Sequence, residues 1–203
     1  FRLEFGVKRQ LLRKNKTIRG VNLVFFDTAG EALNHADQAS VFARYIGYAE
    51  GLIFVLDPLQ LDSIRDLVPA GVNLPKVGTD QLAMLERAIT LIREVNGLSE
   101  STPISIPAAV AFSKVDSLRT LLGDSEEVFR GVKFDGSIKM DDLDSVHEAM
   151  VANMKDHWRL ESVCSVIQNH FQDHRFFAFS ALGHISGENN RLKCAVAGFR
   201  VQK

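Results

Sequence analysis

Little in the sequence ties it to a membrane, a disulfide framework or a polyanion. Its longest apolar runs, such as Leu52 to Leu56 and Ile106 to Phe112, are strand-length, well short of the roughly 20 apolar residues of a spanning helix. Neither a signal peptide nor a spanning helix is therefore expected. There are only 2 cysteines, Cys164 and Cys194, which neither build a disulfide framework nor stand at metal-ligand spacing. They suit a reducing compartment, and the expected location is the cytoplasm. Charge of one sign is not in excess either. The formal net charge is −1, so bulk charge argues neither for nucleic acid as a partner nor for a membrane surface. No internal repeat and no low-complexity tract is present.

The 203 residues, 46% hydrophobic and 24% charged, suffice for a single domain with a sizeable core. The chain begins at Phe1 without Met and stops at Val201-Gln202-Lys203, so it reads as a piece of a longer protein. Short apolar strands alternate with amphipathic helical stretches. That pattern predicts an α/β fold in three layers, a mostly parallel sheet with helices on both faces. Arg2 to Val7 and Thr17 to Phe26 predict two strands, antiparallel because their basic connection is too short for a helical crossover. Asp37 to Tyr48 predicts a helix, from the spacing of Ala39, Phe42, Ala43 and Ile46. Gly51 to Leu56 predicts a buried strand ended by Asp57-Pro58, and Val68 to Val77 a loop.

Thr79 or Asp80 can cap a helix reaching about Val95, with Leu82, Leu85, Ile89 and Ile92 inward. Pro107 to Phe112 predicts another buried strand. Residues from about 124 to 145 read as a surface insertion, polar and broken by Gly131 and Gly136. Asp141, Asp142 and Asp144 then open a long helical region that contains Trp158 and reaches about His170, since acids in a first turn suit the helix dipole. Arg175 to Phe179 predicts the last strand. The Phe residues at 25, 26, 54, 112, 176, 177 and 179 read as core.

Three strand ends carry polar residues that folding alone would not ask for. In Leu23-Val24-Phe25-Phe26-Asp27-Thr28-Ala29-Gly30-Glu31, an apolar strand delivers one carboxylate and turns on a glycine. Ligands of open α/β sheets sit at that edge. Asp27 is placed to hold Mg²⁺, directly or through water, because a hard cation takes carboxylate oxygen. Gly30 lets its N–H approach a terminal phosphate closely.

In Ala109-Val110-Ala111-Phe112-Ser113-Lys114-Val115-Asp116, an ionised Asp116 only accepts hydrogen bonds. Guanine offers two adjacent donors there, and adenine offers a ring acceptor that Asp repels. The stem of Lys114 can lie across the base. In Phe176-Phe177-Ala178-Phe179-Ser180-Ala181-Leu182-Gly183, backbone N–H groups of small residues can point at a base carbonyl, with Ser180 bracing the turn.

In this order and with these strands before them, the three segments resemble a P-loop GTPase of the Ras-like group. Asp27-Thr28-Ala29-Gly30 is similar to that family's Mg²⁺ and γ-phosphate motif. Ser113-Lys114-Val115-Asp116 is similar to its base-reading motif, with Ser where Asn or Thr is usual. Ser180-Ala181-Leu182 is similar to its third base-contacting motif. Val55-Leu56-Asp57-Pro58-Leu59-Gln60 and Gly198-Phe199-Arg200-Val201 resemble the bacterial double-GTPase type 2 group. The resemblance implies GTP or GDP with Mg²⁺ as ligands, GTP hydrolysis in the intact protein, and a protein effector within a multi-protein system.

The chain departs from the family in two ways. It contains no G-x-x-x-x-G-K-[ST], the loop that holds most of the phosphate charge. In the family that loop precedes the first strand seen here. Glu31 stands where the family commonly has the Gln that orients the attacking water. It is the catalytic candidate, although its charge sits badly beside a γ-phosphate. Two other functions compete with a nucleotide switch. One is a GTPase-like scaffold that binds a protein and no nucleotide. The other is a phosphoacceptor receiver domain with Asp57 and Lys114 at strand ends, against which stands the lack of an acidic pair closing an earlier strand. The basic cluster from Lys8 to Arg19 reads as a solvated hairpin, and His170 and His174 do not read as a metal site.

Overall fold

In a computed structural model the structure describes residues 2–3, 21–22, 43, 45–46, 48–68, 74–78, 80–115, 118 and 140–180. Two sheets occur among them. The first joins β1 (Arg2–Leu3) to β2 (Val21–Asn22), antiparallel as the short connection demands. The second holds β3 (Leu52–Leu56), β4 (Ala108–Phe112) and β5 (His174–Ala178) side by side in that order, all parallel. In register, Leu56 lies beside Phe112 and Phe112 beside Ala178, so the three strands end together at one edge. The described residues thus form a small parallel sheet with helices, a mixed α/β arrangement. The expected insertion at 124–145 lies outside them apart from its last residues, where a helix begins at Met140.

Parallel neighbours require long crossovers, and the helices lie in these. After β3 come a 3₁₀ turn, Pro58–Gln60, and the short α1 (Asp62–Arg65). Arg65 ties that turn to the following loop by donating from Nη1 to the carbonyls of Leu59 (2.8 Å) and Pro75 (2.9 Å). α2 (Gln81–Asn96) starts where Asp80 Oδ1 accepts the N–H groups of Leu82 and Ala83. It stops at Gly97, whose φ of 62° is left-handed backbone that glycine adopts without penalty. Leu85, Ala88, Ile89 and Ile92 are its buried face, with Leu82 half-buried beside them.

The long helix expected from residue 141 to about 170 is two helices, α3 (Met140–Asp156) and α4 (Glu161–His170). The reason is packing. Trp158 and Leu160 are 2% and 1% exposed, yet residues two apart point to opposite sides of a helix. Both reach the core only if the helix breaks, which it does with Arg159 at φ 52° and the N–H groups of His157 and Trp158 turned back onto the carbonyl of Asn153. Trp158 then packs edge-on against Phe112, ring centroids 6.0 Å apart.

Side chains alternate across a strand, and the two faces of the sheet differ. Leu56, Ala108, Val110, Phe112 and Phe176 share one face and are buried in the core with Ile89, Ile92, Met154 and Ile167. On the other face Ile53 and Val55 are 59% and 58% exposed. The expectation that β3 is buried throughout is therefore corrected, because β3 covers only one face. Phe179 is corrected likewise. It follows β5 instead of lying in it, and is exposed. Phe54 is half-buried against Phe171, and Phe177 is half-buried.

Candidate functional site at the carboxyl edge of the parallel sheet

The edge where β3, β4 and β5 end gathers Asp57, Ser113, Lys114, Phe179 and Ser180. Main-chain bonds hold the three ends together. Ser113 donates to the carbonyl of Leu56 from its N–H (2.8 Å) and from Oγ (3.1 Å), which fastens the end of β4 to that of β3. The Phe179 N–H donates to the Phe112 carbonyl at 2.8 Å, and the Phe179 carbonyl accepts from Val115 at 3.4 Å, which fastens β4 to β5. Val115 and Leu118 are buried and anchor the segment that leaves β4.

Lys114 projects from this frame with φ at 52°. Left-handed backbone is costly for a residue with a Cβ, and such residues cluster at functional sites. Its Nζ lies 2.6 Å from Asp57 Oδ2. Asp57 is itself fixed. Its Oδ1 accepts the Leu59 N–H at 3.0 Å, and its own N–H donates to Gln81 Oε1 at 2.9 Å. The carboxylate is thus both a turn former, as its place before Pro58 suggested, and the anion facing Lys114. With Lys114 58% exposed and Asp57 15% exposed, the ion pair is worth at most about 1 kcal/mol and weakens with salt. Its value is positional: it lays the lysine stem along the sheet edge.

The sequence-predicted residues divide as follows. Ser113, Lys114 and Ser180 are described, and the parallel register brings them to one edge. Asp27, Thr28, Ala29, Gly30 and Glu31 lie outside the described residues, as do Asp116, Ala181 and Leu182. Gln81 is the residue that sequence reasoning missed. Its only signal was its place directly after the Asp80 cap. A cleft of about 230 Å³ is lined by Gln60, Asp62, Gly78, Asp80, Ser162 and Val163 among others, and by none of the five edge residues. It is smaller than the roughly 300 Å³ at which small-molecule pockets begin.

His170 and His174 serve other ends. Nδ1 of His170 lies 3.0 Å from Nη2 of Arg93, and His174 faces His147, ring centroids 5.7 Å apart. Among the described residues, no three His, Cys, Asp or Glu side chains form a metal-ligand set. No described helix is long and apolar enough to cross a membrane. No protein-family model, curated protein or solved structure matches the chain.

Proposed function

We propose that this chain is a guanine-nucleotide-binding domain that acts, within the intact protein, as a GTP-dependent switch. The observation that carries the reading is the carboxyl edge of the parallel sheet, where Ser113-Lys114 and Phe179-Ser180 end adjacent strands in register. A base lying across that edge would have the Lys114 stem on its face and Asp116 as acceptor for its two donors. Ala181 and Leu182 would offer N–H groups to its carbonyl. Asp27 would hold Mg²⁺, and Gly30 would meet the terminal phosphate. Glu31 would stand beside the attacking water, and GTP would order residues 27–38 until hydrolysis released them. Asp57 adds a positioning role, since it fixes the ammonium of Lys114 before any base arrives.

The test is calorimetric titration of the chain with GDP, GTP, ADP and ATP in the presence of Mg²⁺. Lacking a Gly-rich phosphate loop, this chain alone should bind GDP more weakly than about 1 μM or not measurably, and any binding should prefer guanine to adenine by roughly tenfold or more. Asp116→Ala should erase the preference. Equal affinity for ATP and GTP would refute base reading, and a sub-micromolar affinity for GDP would refute the role given to the missing phosphate loop.

One observation favours a second reading. A lysine ammonium 2.6 Å from a strand-end aspartate is one part of the arrangement a phosphoacceptor site needs. Incubation with acetyl phosphate decides between them. Under the nucleotide reading the mass of the chain stays unchanged, and a gain of one phosphoryl group on Asp57 would favour the receiver.

A further inference from the structure

β5 is the outermost strand of its sheet among the described residues, and an outer strand presents main-chain N–H groups that other chains can pair with. α3 lies along it. The Phe176 N–H, directed away from β4, donates to Nδ1 of His147 at 3.1 Å. The imidazole stacks on the Phe176 ring, centroids 5.6 Å apart and planes 6° from parallel. One turn earlier, Asp144 Oδ1 accepts from Arg175 Nε (3.0 Å) and Nη2 (2.9 Å). The side chain of α3 that closes the edge is thus a titratable one, in the protonation state that accepts.

We propose that His147 is a proton-operated latch: uptake of a proton at Nδ1 releases α3 from the edge of β5. The neutral ring carries its proton on Nε2 and uses Nδ1 as acceptor. A proton taken from solvent occupies that nitrogen, and the Phe176 N–H then faces a donor. The charged groups around the ring mostly oppose the proton. His174, 5.7 Å away, and Arg175 stand on β5. Asp144 and Glu148 on α3 attract it, but Asp144 is engaged by Arg175, which also pairs with Asp173 at 3.3 Å. Burial, then His174 and Arg175, hold the His147 pKa below its ordinary 6.5. A released α3 lets the ring titrate near 6.5, so acid favours release, starting as pH falls through that value. Release bares a strand edge able to pair with an extended chain.

Amide exchange by NMR tests this on the chain as it is. The protection factor of the Phe176 N–H, corrected for intrinsic exchange, should fall at least about threefold between about pH 7.5 and about pH 5. Its midpoint should coincide with the titration of the His147 ring nitrogens, whose ¹⁵N shifts should report the Nε2–H tautomer at the higher pH. His147→Asn places an amide oxygen near the position of Nδ1 and does not titrate. It should keep Phe176 protected at both pH values. A change under threefold in the wild type overturns the proposal. So does a midpoint that departs from that of His147, which decides the matter even if the variant does not fold. The same fall in a folded His147→Asn protein overturns it as well.

Discussion

Lys114 holds a left-handed backbone at φ 52° although it carries a side chain, at a cost of about 1–3 kcal/mol. What it gains is a position over the sheet edge and an ion pair of at most about 1 kcal/mol. Strain therefore outweighs the local benefit, the balance expected where a residue is kept for binding. Lys114→Gly should leave stability unchanged or raise it by up to about 1 kcal/mol in urea denaturation and, under the nucleotide reading proposed above, should weaken any GDP binding. A clear loss of stability would show that the ion pair outweighs the strain. Asp57 separates charge from turn making. Asp57→Asn keeps an oxygen for the Leu59 N–H and should cost little, but it frees the Lys114 ammonium and, under the nucleotide reading proposed above, should weaken any GDP binding. Asp57→Ala also removes the cap of the 3₁₀ turn and should cost about 1–2 kcal/mol.

At the scale of elements, Arg93 joins the end of α2 to the end of α4. The residue is 8% exposed. It donates to the carbonyls of Ser99 and Thr102, and Nη2 meets Nδ1 of His170 at 3.0 Å. Arg93→Met would leave two carbonyls and an imidazole nitrogen without their charged donor, and should cost about 2–3 kcal/mol. The same contact sets a pH dependence. Burial, and then Arg93, hold the His170 pKa below its usual 6.5. Near and below that value the unfolded chain binds more protons than the folded one. The contribution of His170 is therefore complete above about pH 6.5 and is lost below it, as pH falls through the lower pKa of the folded state. Urea midpoints at about pH 7.5 and pH 5.5 should show the decline, and His170→Gln should flatten it.

At the scale of the molecule, the core formed by the described residues fills one side of the parallel sheet. Phe112 is fully buried and meets Trp158, so its ring links the sheet to the break between α3 and α4. Phe112→Ala should cost about 3–5 kcal/mol, read as a lower urea midpoint. Cys164 is also fully buried, with Met154 Sδ 3.8 Å from its sulfur, and burial raises its thiol pKa. A buried thiol that stays protonated is a poor nucleophile. In a Cys194→Ser protein, iodoacetamide should label Cys164 only at the rate of unfolding. Fast labelling under native conditions would contradict this burial. The exposed side of β3 contrasts with the core, for Ile53 and Val55 contribute little to it.

The sequence by itself determined what depends on neighbours along the chain. The run Leu52 to Leu56, the cap offered by Thr79 or Asp80 and the apolar spacing up to about Val95 located β3 and α2 to within a residue or two, because apolar runs and helix caps are local chemistry. It also marked Ser113, Lys114 and Ser180 as polar residues that close apolar strands. Three features were decided only by the tertiary structure. A run apolar at every position has no alternation, so it could not say that Phe54 turns inward while Ile53 is left to solvent. The helix between residues 141 and 170 breaks because Trp158 and Leu160 compete for one core, a demand that no helical signal records. The pairing of Lys114 with Asp57 joins residues 57 apart, through the parallel register of β3 and β4 and the Ser113 bonds to Leu56. Strand ends become neighbours only when the sheet forms, so what each end carries could be read in advance, but what it faces could not.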